Sequence, residues 1–94
     1  MNYTLIVPFY NEEKNISSFN TELINNLKKI DNGKRNLEII YIDDGSNDET
    51  FNELKKLSTN PFETLIIKHR NNLSQSAAIN TGLIQSKYEN IVIM

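Results

Sequence analysis

Asp43 and Asp44 stand side by side in "EIIYIDDGSNDET", residues 38–50, behind an apolar run and ahead of Gly45 and Ser46. Neighbouring carboxylates repel, so the pair needs water, a proton, a cation or the N–H groups of a ligand close by. Two readings stay open from the residues alone. The acids can simply start a turn and favour the positive end of the next helix, an effect of about 0.3 to 1 kcal/mol. Alternatively one carboxylate accepts N–H or O–H groups of a nucleoside while the other holds the loop or approaches a cation. A phosphoacceptor aspartate is a weaker third reading, since its acidic cluster would include the end of the first strand, where Pro8 stands.

Two more polar clusters follow apolar runs in the same way: Pro8-Phe9-Tyr10-Asn11-Glu12-Glu13 and His69-Arg70-Asn71-Asn72. Taken singly, Pro8 and Tyr10 read as edge punctuation and packing, and Glu12 and Glu13 as helix-start acids. Together with the acid pair, an aromatic ring and polar groups would make a base-stacking and ribose-binding wall. His69 is the only histidine, and with no second ligand near it in sequence it reads as structural rather than metal-binding. Arg70 suits a diphosphate but is equally an ordinary surface residue.

The elements that must position these clusters are legible from periodicity. Tyr3 to Val7, Leu37 to Ile42, Thr64 to Ile67 and Ile91 to Met94 are nearly continuous apolar runs, as expected of strands buried on both faces of a parallel sheet. Between the first two, Ile16, Phe19, Leu23, Leu27 and Ile30 share one helical face, and Asn32-Gly33 marks its end. Ser46-x-x-Glu49 predicts a capping box for a second helix carrying Phe51, Leu54 and Leu57, closed by Asn60-Pro61. A third helix is expected from about Ser74 to Lys87, packing through Ala77, Ala78, Thr81 and Ile84, with Gly82 inside it. The order β-α-β-α-β-α-β predicts an α/β, doubly wound, mostly parallel sheet with right-handed crossovers. In such sheets ligands bind at the carboxyl ends of the strands, and all three polar clusters fall on that edge. A sheet ending on an uncovered apolar strand reads as a truncated domain.

Composition narrows the function classes. Ninety-four residues suit one domain or part of one, and a net charge of -2 gives no basic footprint for nucleic acid. The absence of cysteine excludes a disulfide framework, a thiolate zinc site and a cysteine nucleophile. A reducing cytosol fits. The opening "MNYTLIVPFYNEE" lacks a basic signal-peptide start, and no apolar run approaches a membrane span, so the chain is expected to be soluble. No G-x-x-x-x-G-K-[ST], G-x-G-x-x-G or G-x-S-x-G pattern is present, which removes the usual support for P-loop, dinucleotide and serine-hydrolase readings.

"TLIVPFYNEEKNI", "IIYIDDGSNDET" and "NNLSQSAAINTGL", in this order and spacing, resemble the N-terminal half of the family 2 glycosyltransferases of GT-A fold. The flavour is that of dolichyl- and undecaprenyl-phosphate sugar transferases, and the resemblance covers essentially residues 1–94. It implies a Rossmann-like nucleotide-sugar-binding half. Pro8, Tyr10, Asn11 and Glu12 would line the nucleotide pocket, Asp43, Asp44 and Ser46 would form the D-D-G-S loop, and Ser76 would join the set from the third motif. The second acid of the loop, Asp44, would accept a uracil-like N–H. A departure is that Ser74, in Asn72-Leu73-Ser74, stands where the family's N-x-G third motif often carries glycine.

The resemblance further implies transfer of a sugar from a nucleotide sugar, UDP-linked above others, to a lipid phosphate or glycan. It implies Mg2+ or Mn2+ held by a D-x-D motif after the fourth strand, with ligands expected beyond Met94, so that no metal or catalytic residue is assigned here. The full-length enzyme would work in the cytoplasm, at the cytoplasmic face of a membrane, whereas the 94 residues alone would be inactive and bind only the nucleoside half. The alternative is a non-catalytic nucleotide-binding or interaction module of the same fold.

Overall fold

The computed structural model describes residues 2–30 and 36–94. Strand β1 (Asn2–Phe9) leads to helix α1 (Ile16–Ile30) and strand β2 (Asn36–Asp43). Helix α2 (Thr50–Lys55) runs into a 3-10 turn (Lys56–Thr59), followed by β3 (Glu63–Lys68), α3 (Gln75–Gln85) and β4 (Asn90–Ile93). All pairings are parallel, and the strands lie in the order β3-β2-β1-β4. The expected α/β order and parallel sheet are both present. Asn32-Gly33, expected to end α1, lies outside the described residues.

Alternate strand residues feed two cores, as the two-residue side-chain period requires. Leu5, Val7, Phe9, Ile39 and Tyr41 pack beneath α1 and α2 with Ile16, Leu23, Ile24, Leu27 and Leu54. On the other face Ile6, Ile40 and Ile42 meet Ala78 of α3. The chain steps from β1 outward to β3, then returns across the sheet to β4 beside β1. Keeping one crossover hand while reversing direction places α3 opposite α1 and α2. The reversal makes the β1–β4 boundary a topological switch point, the place where open α/β sheets form their crevice.

Two details of the helices differ from expectation. Ser46 does not cap α2: the residue before that helix is Glu49, which makes no side-chain cap bond, while Asp48 Oδ1 accepts from Thr50 N at 2.9 Å and from the Thr50 hydroxyl at 2.5 Å. The capping oxygen therefore sits two residues later than the box predicts, because Ser46 is drawn back to Asp43. In α3, Ile84 is 71% exposed, and Ala78 and Gly82 are the buried positions. A Cβ on Gly82 would lie 2.7 Å from Ile6 Cγ2, so α3 packs closely through the face of Ala78 and Gly82, and Ile84, about 200° around the helix from Gly82, is turned away from it.

A buried polar joint ties the layers together. Tyr41 donates its hydroxyl proton to Asn20 Oδ1. Asn20 Nδ2 donates to Asn60 Oδ1 at 3.0 Å, and Asn60 Nδ2 donates back to Asn20 Oδ1 at 3.2 Å. Burial pushes the Tyr41 phenol up from 10.0 to about 12, against a smaller opposing effect of its bond with Asn60. Asn20, a polar residue on the apolar face of α1, is there because this phenol needs a partner.

Candidate functional site: a cleft at the carboxyl edge of the sheet

β4 pairs with β1 only as far as Ile6, with Met94 N donating to Ile6 O at 3.0 Å. β1 continues for three residues, and that extension forms one wall of a cleft of about 570 Å3. Pro8 fits this stretch for a physical reason. Ile6 turns its backbone groups toward β4 and Phe9 O accepts from Asp44 N on the β2 side, so the N–H that Pro8 lacks would point past the last rung of the β1–β4 ladder. Its absence costs the sheet nothing.

The rest of the lining includes Tyr10, Glu12, Asn15, Asp44, Asn72, Ser74 and Gln75. A second cleft, of about 520 Å3, lies beside α1 and is lined mainly by apolar side chains such as Tyr3, Leu23, Leu27 and Val92. It offers few directional groups, whereas the edge cleft gathers a carboxylate, amides and an aromatic ring. The edge cleft is the candidate site on that chemistry.

The two acids of the loop have separate surroundings because successive strand residues face opposite sides. Asp43 is fully buried; its Oδ1 accepts from Ser46 N at 3.1 Å and Ser46 Oγ at 2.5 Å. Its Oδ2 has no hydrogen-bond partner among the described residues. Asp44, 3% exposed, turns to the α3 side and borders the cleft. Oδ1 accepts from His69 Nδ1 at 2.8 Å and from Leu73 N at 3.1 Å, and Oδ2 accepts from Asn72 Nδ2 at 3.0 Å. A carboxylate has about four acceptor positions, so the unfilled capacity of Asp44 lies on Oδ2.

The loops after β1 and β2 are laced together. Asn11 N donates to Ser46 Oγ at 2.8 Å, Asn47 N to Asn11 Oδ1 at 2.9 Å, and Glu12 N to Thr50 Oγ1 at 2.8 Å. Asn11 takes φ 51 to do so, a left-handed conformation that asparagine tolerates better than most residues. Burial pushes the Asp48 carboxyl up, but the bonds it accepts from the Thr50 hydroxyl, Thr50 N–H and Glu13 N–H outweigh this and hold it below the usual 3.8.

Of the eight residues expected at the site, Pro8, Tyr10, Glu12 and Asp44 meet in the cleft. Asp43, Asn11 and Ser46 form the bracing behind it. Ser76 is exposed on α3 and does not line it. Asn15, Asn72, Ser74 and Gln75 also line the cleft; of these the sequence marks only Asn72, within the polar cluster after the third strand, and Ser74, within the third motif, and assigns neither to the site. Asn72 was legible in principle, as an amide directly behind a strand, but nothing in sequence shows that it folds back onto Asp44. Among the described residues, no three His, Cys, Asp or Glu side chains are grouped so as to hold a metal ion. The cation that the resemblance implies finds no fit in them.

A parallel sheet in the order β3-β2-β1-β4, with helices on both faces and a cleft at its carboxyl edge, defines an open, doubly wound α/β architecture. Residues 4–94 match the model of glycosyl transferase family 2, and the chain belongs to that family. Dolichol-phosphate mannosyltransferase of Saccharomyces cerevisiae is 29% identical over 92 residues, covering 98% of this chain and 34% of the relative. The crystal structure of Staphylococcus aureus TarS 1-349 in complex with UDP-GlcNAc superposes with TM-score 0.75 at 30% identity, over 100% of this chain and 26% of that one. The fold also matches mannosyltransferase PcManGT of Pyrobaculum calidifontis, in complex with GDP-Man and Mn2+, with TM-score 0.76 at 24% identity over 95% of this chain and 25% of that one. The chain thus spans about a third or less of the length of these proteins.

Proposed function

We propose that residues 1–94 form the nucleotide-sugar-binding part of a GT-A glycosyltransferase domain, and that the cleft at the carboxyl edge takes the nucleoside of a UDP-sugar. The observation that carries this reading is the state of Asp44, a residue of the cleft lining: Oδ1 is filled by two donors, while Oδ2 holds one, Asn72 Nδ2, and keeps one position open. Uracil presents a single ring N–H, which one open acceptor satisfies. Guanine presents a ring N–H and an amino group side by side, which call for two.

Tyr10, 41% exposed at the cleft, provides a ring face for the base, and such stacking is worth about 1–3 kcal/mol. Ser74 and Gln75 bring the positive end of α3 to the same cleft, which suits a diphosphate. These residues bind and orient the donor. In the longer protein the sugar would pass to a lipid phosphate or glycan at the cytoplasmic face of a membrane; no helix of the described residues is long and apolar enough to cross one. A divalent cation would neutralise the leaving diphosphate, and its ligands are assigned to no residue here.

Thermal unfolding with UDP, GDP and ATP tests the reading. Binding at one hundred times Kd adds about 2.7 kcal/mol of stability. Stabilisation by UDP above the other two is expected. Indifference to all three would replace the reading with a non-catalytic interaction module.

A further inference from the structure

His69 lies between the loop of Asp44 and helix α3. Its side chain is 10% exposed, and its backbone N–H, donating to Asp43 O at 2.8 Å, extends the β2–β3 ladder. Nδ1 is 2.8 Å from Asp44 Oδ1, and Nε2 is 2.8 Å from Thr81 Oγ1, which in turn lies 3.1 Å from Ala77 O. A carboxylate only accepts, so Nδ1 carries a proton whatever Nε2 does. Together with Leu73 N, that N–H fills Oδ1 and fixes the plane of the carboxylate.

We propose that His69 is a specificity-determining residue: by occupying Oδ1 it leaves Asp44 one open acceptor and so sets the choice of uracil over guanine. The proposal rests on the nucleotide-binding reading above. Without the imidazole, Oδ1 keeps only Leu73 N and Oδ2 only Asn72 Nδ2, so each oxygen has an open position. Two adjacent acceptors are what the paired N–H groups of guanine require. Asparagine, whose Nδ2 falls close to the place of Nδ1, would preserve the donor while losing the link to Thr81.

The experiment is titration calorimetry of the chain with UDP and GDP, comparing unmodified protein with His69→Leu and His69→Asn, alongside thermal unfolding of each. The two ligands share ribose and diphosphate, so the ratio of their Kd values isolates the base. Expected are a preference for UDP of at least about tenfold, equivalent to about 1.4 kcal/mol, its collapse in His69→Leu, and its retention in His69→Asn. An unchanged ratio in His69→Leu, even with both affinities reduced together, shows a merely structural role and overturns the proposal. Should His69→Leu fail to fold, His69→Phe, which keeps a ring but has no donor for Oδ1, takes its place, and the ratio must collapse there or the proposal fails. Unmodified protein that binds both nucleotides equally refutes the base-choice role alone. Unmodified protein that binds neither refutes the nucleotide-binding reading and this role with it.

Discussion

Gly45 sits directly on the backbone of Asn71: a Cβ added to it would lie 2.2 Å from the Asn71 carbonyl carbon and 2.3 Å from Asn72 N. With φ at 73, this glycine is needed twice, for the left-handed turn and for the approach that lets Asn72 and Leu73 reach Asp44. Gly45→Ala is expected to cost about 2–5 kcal/mol, combining backbone strain with overpacking. Chemical denaturation measures it. A loss below about 1 kcal/mol would mean that the loops have room to separate.

Asp44→Asn is expected to weaken UDP roughly ten- to hundredfold, since bonds to a charged acceptor contribute about 1.5–3 kcal/mol. Stability also falls, because the His69 and Leu73 donors lose a charged partner. Calorimetry and denaturation on the same sample separate the two effects. UDP affinity equal to that of unmodified protein would remove Asp44 from the site.

Tyr10 contributes ring area without bracing the loop. Tyr10→Ala should weaken nucleotide binding by about 1–3 kcal/mol while leaving the unfolding midpoint within a degree or two. A large fall in midpoint with unaltered affinity would assign the ring to packing.

The Tyr41 joint gives a pH window. Its folded pKa, about 12, lies above the ordinary 10.0, so the folded state holds the proton more tightly than the unfolded one. The stabilisation is fully present below pH 10 and is lost as pH rises toward about 12. Tyr41→Phe should flatten that alkaline decline. At neutral pH it should cost about 1–2 kcal/mol, because Asn20 and Asn60 lose a buried partner. An identical alkaline decline in both proteins would locate the titrating group elsewhere.

Glu38 is a buried charge at the opposite edge of the sheet. It accepts from the Thr4 hydroxyl and from Lys87 N, both at 2.7 Å, and so fastens the turn that delivers β4. Glu38→Ala should destabilise by about 1–3 kcal/mol through the unpaired Lys87 N–H and leave UDP affinity, measured under folding conditions, unchanged. Altered base selectivity in that variant would contradict the separation of the two edges.

The sequence by itself determined the elements and their order. Nearly continuous apolar runs such as Leu37 to Ile42 and the helical spacing of Ile16, Leu23 and Leu27 are local signals, and hydrophobic periodicity reads directly as strand or helix. It also placed three polar clusters on one edge, since each directly follows a strand. Only the tertiary structure decided which residues share the cleft. Asn72, Ser74 and Gln75 reach Asp44 and Tyr10 from about thirty residues or more away because α3 crosses back over the sheet, and no local spacing records that return. The same holds for the packing face of α3, which the contact of Gly82 with Ile6, distant in sequence, sets away from Ile84. Ser46 is different: its capping preference, worth about a kilocalorie per mole, lost to a competing local bond with Asp43, three residues back.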